Sequence, residues 1–140
     1  MPAPVHQPAV AAAIHTADRK QHMPLVVILD DQLTNQHIFA KIASSIADDI
    51  RVQAFGDPEV ALQWISKNTP DLVITDYKMP GMNGAAFIKK LRVLPELEDV
   101  PVVVITVFEE RSFRLRALDA GATDFLQSPV DHQEFVTRAR

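Results

Sequence analysis

The sequence contains no cysteine, which removes disulfides and thiolate metal sites and leaves the redox compartment undetermined. Its histidines (His6, His15, His22, His37 and His132) show no ligand-like spacing. A basic surface is missing too: the net charge of −4 gives no electrostatic footprint for nucleic acid, so none is expected as a partner. No apolar run approaches the roughly 20 residues that span a bilayer. The short patch Ala9 to Ile14 has no basic region before it, so it does not read as a secretory signal. No membrane partner is expected, and a cytoplasmic protein is. Glycine is scarce as well. Its 4 residues form no Gly-rich phosphate loop after the first apolar run, which argues against a free-standing nucleotide- or flavin-dependent enzyme.

What is present is 140 residues, 47% of them hydrophobic, with no composition break over 24–140. That length suits one domain with an adequate core. Residues 1–23 carry Pro2, Pro4, Pro8 and three of the histidines, and read as a flexible N-terminal leader. Three short β-branched runs follow, each of the kind that fits a strand buried on both faces. Leu25 to Leu29 ends in Asp30-Asp31, Leu72 to Thr75 ends in Asp76, and Val102 to Ile105 ends in Thr106. Polar groups thus collect at the carboxyl ends of the runs. Open α/β sheets place their chemistry outside those ends.

Between the runs lie helical patterns. Gln32 to Ile46 carries Phe39, Ile42 and Ile46, with Ile38 and Ala43 alongside. Asp57 reads as an N-cap and Pro58 as the first residue of a helix reaching about Lys67 and burying Val60, Ala61, Trp64 and Ile65. Pro80, Gly81, Asn83 and Gly84 force a loop beyond Asp76 before a helix from Asn83 or Gly84 to about Leu94, with Phe87, Ile88 and Leu91 inward. Glu109-Glu110 sit in the first turn of another, which keeps Phe113, Leu115 and Leu118 and ends at Gly121. Arg51 to Phe55 reads as an edge strand and Thr123 to Gln127 as a last one; Asp131 and Glu134 resemble a capping box for a final helix that Arg140 cuts short. A fragment of a longer protein is expected. Five strands alternating with about five helices imply a parallel sheet covered on both faces.

Asp30-Asp31, the loop Asp76-Tyr77-Lys78-Met79-Pro80-Gly81-Met82-Asn83-Gly84, Thr106 and the stretch Ala120 to Leu126 together resemble the receiver domain of two-component response regulators. The likeness covers residues 24–140. It implies a flavodoxin-like, doubly wound (βα)5 parallel sheet of order 2-1-3-4-5. It implies that Asp76 is the phosphoacceptor, with Mg2+ held by Asp30, Asp31, Asp76 and the backbone carbonyl of Lys78. Thr106 and Phe125 would be the switch pair, although by themselves they read as a strand residue and a core aromatic. Likewise Asp30-Asp31, taken alone, fits a helix N-cap. Clustered carboxylates should raise one of their pKa values by mutual repulsion until a cation arrives.

The implied partners are a sensor histidine kinase or phosphotransfer protein, a C-terminal output domain of the same chain and, as an open alternative, a homodimer. The implied role is phosphorelay signal transduction, in which the receiver is a regulatory phosphoacceptor and the output domain can be an enzyme. One position departs from the family pattern: Ser128 stands before Pro129 where receivers usually carry lysine, and a serine supplies no positive charge. Val107 is also bulkier than the small residue common there. The alternative is therefore a degenerate receiver acting as a phosphorylation-independent interaction module. The stretch Gln127-Ser128-Pro129-Val130-Asp131 resembles receivers joined to cyclic-di-GMP phosphodiesterase outputs of the HD-GYP type.

Overall fold

The computed structural model describes residues 23–46, 49–106 and 111–127. Within them five strands form one parallel sheet: β1 (Leu25–Leu29), β2 (Arg51–Phe55), β3 (Leu72–Thr75), β4 (Val102–Thr106) and β5 (Asp124–Gln127). Their spatial order is β2-β1-β3-β4-β5, the doubly wound arrangement expected. β1, β3 and β4 are buried along their whole length, as continuous apolar runs in central parallel strands should be. β2, at one edge, mixes exposed and half-buried residues, which is why its sequence alternates.

The described helices are α1 (Leu33–Ser44), α2 (Pro58–Ile65), α3 (Gly84–Arg92) and α4 (Arg111–Ala120). α2 starts as its sequence dictates, with Asp57 accepting from the N–H groups of Glu59 and Val60 and Pro58 at the first turn. α3 is capped by Asn83, whose side chain accepts from the Ala86 N–H. Because side chains alternate along a strand, the sheet feeds two cores. Val27, Leu29, Val73, Val102, Val104 and Phe125 face Ala61 and Ile65 of α2, Phe87, Ile88 and Leu91 of α3, and Ala117 and Ala120 of α4. On the other face Val26, Ile28, Leu72, Ile74, Val103, Ile105 and Leu126 meet Phe39, Ile42 and Ala43 of α1.

Four apolar residues assigned to buried helix faces point outward instead: Ile38, Val60, Leu115 and Leu118 are exposed. In α4 the inward residues are the small Ala117 and Ala120, which let that helix lie close to the sheet. α4 turns into β5 through Gly121, whose φ of 114° requires glycine. From the end of α3, Arg92 reaches that turn. Its guanidinium donates through Nε and Nη2 to the Gly121 carbonyl at 3.2 and 2.6 Å, and through Nη1 to the carbonyls of Leu97 and Val100 at 2.9 and 2.6 Å. The leader, Glu109-Glu110, Ser128 and the helix expected from Asp131 lie outside the described residues.

Candidate functional site

Leu29 of β1 pairs with Thr75 of β3, so the next residue on each strand, Asp30 and Asp76, emerges at the same edge of the sheet. The Asp76 N–H donates to the Leu29 carbonyl at 2.9 Å and the Asp30 N–H to the Phe55 carbonyl at 3.0 Å, which extends the ladder to the carboxylates themselves. Both are thereby fixed by backbone. With Asp31 they form a cluster in which one carboxylate oxygen from each lies within 4.8 Å of the others. Asp30 is buried, Asp76 half-buried and Asp31 exposed, so the cluster opens to solvent on Asp31's side.

Asp30 is not the N-cap of α1. That position belongs to Gln32, which makes no side-chain cap bond. Asp30 Oδ1 accepts from the Gln32 N–H at 2.9 Å and from Asn35 Nδ2 at 3.5 Å, while Gln36 Nε2 donates to the Asp30 backbone carbonyl at 2.7 Å. Sequence reasoning passed over Gln36. It is a polar residue buried on a helix read for its apolar face, and only its partner in β1's end explains it. On the other strand, Asp76 Oδ1 accepts from the Tyr77 N–H at 2.8 Å and its carbonyl accepts from Thr75 Oγ1 at 2.9 Å.

Burial raises the pKa of Asp76 from 3.8 to about 6, and the charges of Asp30 and then Asp31 push the same way, opposed by the backbone N–H groups of Tyr77 and Lys78. Asp30 is also raised, chiefly by burial, with the Gln32 N–H opposing. Mutual repulsion thus contributes to the rise, and desolvation is its larger cause.

Beyond Asp76 the loop alternates. Tyr77 and Met79 turn into the core, whereas Lys78 and Pro80 are exposed. Tyr77 stacks on Phe113 of α4, with ring centroids 4.5 Å apart and planes inclined by 18°. Gly84 closes the loop. Its N–H donates to the Tyr77 carbonyl, and a Cβ on it would stand 2.8 Å from the Asp76 carbonyl oxygen and 2.9 Å from the Tyr77 Cα. Glycine is needed there because the first turn of α3 presses on the peptide that follows Asp76.

Thr106 ends β4 at the same edge and is 1% exposed. β3 and β4 pair Thr75 with Val104, so Thr106 stands one residue beyond the level of Asp76 on the adjacent strand. Phe125 pairs with Val104 and so shares a sheet face with Thr106, one pleat away. It is buried, and the Arg114 guanidinium lies 5.4 Å from its ring centroid. The sheet therefore collects Asp30, Asp31, Asp76, Lys78 and Thr106 at one edge and sets Phe125 beneath it; Ser128 lies outside the described residues.

This is an open parallel α/β protein with an acidic cluster at its carboxyl edge, a class defined by fold and site together. Residues 26–140 match the response regulator receiver domain, and the chain belongs to that family of two-component signalling proteins. It is 39% identical over 113 residues to the cyclic di-GMP phosphodiesterase response regulator RpfG of Xanthomonas campestris pv. campestris, a match covering 81% of this chain and 30% of that protein. It is 32% identical over 115 residues to the response regulator PleD of Caulobacter vibrioides, covering 82% of this chain and 25% of the relative. The chain thus spans less than a third of either relative. A solved structure from Chloroflexus aurantiacus superposes with a TM-score of 0.76 at 30% identity, covering 84% of this chain and 94% of that one. Chemotaxis protein CheY4 of Vibrio cholerae shares the fold at a TM-score of 0.75 and 23% identity, over 82% of this chain and 94% of its own.

Proposed function

We propose that this receiver takes a phosphoryl group on Asp76 from a sensor histidine kinase or a phosphotransfer protein. A carboxylate oxygen of Asp76 would attack phosphorus as the P–N bond of the donor phosphohistidine, protonated on its other ring nitrogen, breaks, giving an acyl phosphate and a neutral imidazole. The observation that carries this reading is the placement of Asp76. It is held at the end of β3 by backbone bonds, with its carboxylate in an acidic cluster open on one side.

The donor set fits a hard divalent cation, since the cluster offers only carboxylate oxygens and Asp31 faces solvent. Asp30, Asp31, Asp76 and the Lys78 carbonyl would hold Mg2+. When bound, the ion supplies the positive charge that shields incoming phosphoryl oxygens. The chain's own groups do the rest. Asp30 and Gln36 keep the β1 end rigid, the Tyr77 N–H fixes Asp76, and Thr106, at the end of β4, would donate its hydroxyl to a phosphoryl oxygen. Movement of Thr106 and Phe125 would then pass the charge event to α4 and β5, a local change biasing a two-state element.

The signal would go to a C-terminal output domain. The Xanthomonas relative is named a cyclic di-GMP phosphodiesterase response regulator, which supports an output domain of that kind, in keeping with the stretch from Gln127 to Asp131. A second reading, a receiver that binds partners without phosphorylation, draws on Ser128 alone: without lysine there, neutralisation would fall almost wholly on the metal.

Intact-mass measurement after incubation with acetyl phosphate, with and without Mg2+, separates the two. A metal-dependent phosphoryl adduct that disappears in Asp76→Asn is expected. Absence of any adduct when Mg2+ binding is demonstrable and hydrolysis is trapped would turn the assignment to the interaction module.

A further inference from the structure

Tyr77 is the sole tyrosine of the chain, and its position gives it two connections, one through its backbone and one through its ring. Its N–H holds Asp76 Oδ1 at 2.8 Å, and its ring lies flat against Phe113 of α4. The same residue's carbonyl accepts from the Gly84 N–H, so the backbone is held on both sides of its Cα. The side chain is 2% exposed, yet its hydroxyl has no hydrogen-bond partner among the described residues. A buried hydroxyl left unpaired does not anchor anything. What fixes the Tyr77 side chain is therefore the ring and its stack.

We propose that Tyr77 is a positioning residue for phosphoryl transfer: through its stack on Phe113 it couples the placement of α4 to the rotamer of Asp76. The proposal rests on the reading of Asp76 as the acceptor. It adds a connection separate from Thr106 and Phe125, running from β3 rather than from β4 and β5. Because coupling is reciprocal, an α4 that moves away from Tyr77 loosens the N–H that orients the Asp76 carboxylate, and a group added to Asp76 alters the environment of the Tyr77 ring. An acceptor carboxylate free to rotate spends less time aligned with the incoming phosphorus, and misplacement of this kind costs about tenfold or more in rate.

The experiment uses the full chain and measures the rate of phosphoryl uptake from acetyl phosphate at saturating Mg2+ by intact mass, together with Mg2+ affinity. Phe113 is half-buried and leucine keeps an apolar side chain against the core, so Phe113→Leu is expected to fold, which circular dichroism checks. The expected results are a wild-type rate for Tyr77→Phe, which preserves the ring, and about a tenfold slower rate for Tyr77→Leu and for Phe113→Leu. The double variant should be no slower than either single one, because both remove the same stack. Because Asp76 is also one of the proposed Mg2+ ligands, each rate is taken at a Mg2+ concentration saturating for that variant, so that a slower rate reports the placement of the acceptor rather than loss of metal. As a readout independent of any variant, 3-fluorotyrosine incorporated at Tyr77 should show its single 19F resonance shift when beryllium fluoride and Mg2+ are added. Variants labelling at the wild-type rate, additive losses in the double variant, or an unmoved resonance would overturn the coupling while leaving Asp76 as acceptor. A wild type that takes no label overturns both.

Discussion

Replacing Asp76 with asparagine should make the metal-free protein more stable at neutral pH, and the size of the gain follows from the site. In the folded chain the Asp76 pKa rises from 3.8 to about 6, first through burial and then through Asp30. The unfolded chain releases this proton first, so between those values the native state binds more protons and stability falls as pH rises. Above about pH 6 the full penalty is present. At about 1.36 kcal/mol per pH unit the gap between the two values corresponds to about 3 kcal/mol. The carboxylate is partly open to water, and screening brings this to about 1.5 kcal/mol. Asparagine fits the same space with no charge at any pH. Asp76→Asn should therefore gain about 1–2 kcal/mol at neutral pH, an increase of several degrees in Tm, with the advantage vanishing below about pH 4. Urea titrations followed through Trp64, the sole tryptophan, measure this across pH in EDTA and again in Mg2+. Added Mg2+ should stabilise the wild type more than the variant and close the gap. A variant no more stable than wild type in EDTA at neutral pH, or a gain that persists undiminished at low pH, would refute the reasoning.

Gly84→Ala places a Cβ 2.8 Å from the Asp76 carbonyl oxygen, which is backbone and cannot yield cheaply. A loss of about 1–3 kcal/mol in urea unfolding is expected, with slower phosphoryl uptake. Arg92→Met keeps the buried stem but strips three carbonyls, those of Leu97, Val100 and Gly121, of their guanidinium partner. It should cost about 2–4 kcal/mol and leave Mg2+ affinity unchanged, since the staple lies away from the acidic edge.

The parts of the fold that were legible in the sequence are those where one physical term dominates. β1, β3 and β4 are buried on both faces, so Leu25–Leu29, Leu72–Thr75 and Val102–Thr106 had to be continuous apolar runs. Asp57, Asn83 and Gly121 were visible because caps and left-handed turns restrict residue type. Where two terms compete, the pattern misleads. Periodicity counts apolar residues without measuring how wide the covered stripe is, so Ile38, Val60, Leu115 and Leu118 were assigned inward although they are exposed. Strand order has no local signature and entered through the family resemblance. Asp30, Asp31, Asp76 and Thr106 stand out as candidates because they punctuate strands. Gln36 and Tyr77 do not, because their contacts are with a backbone carbonyl and a ring contributed by other elements.

The Arg92 guanidinium fastens the carboxyl-terminal end of α4 by holding Gly121, whereas the other half of that helix touches the site through the Tyr77–Phe113 stack. α4 is thus a lever with a fixed fulcrum at one end and its effort applied near the other. A disturbance beside Asp76 would swing the helix rather than slide it, and the greatest travel would fall at its amino-terminal end, next to residues that follow Thr106.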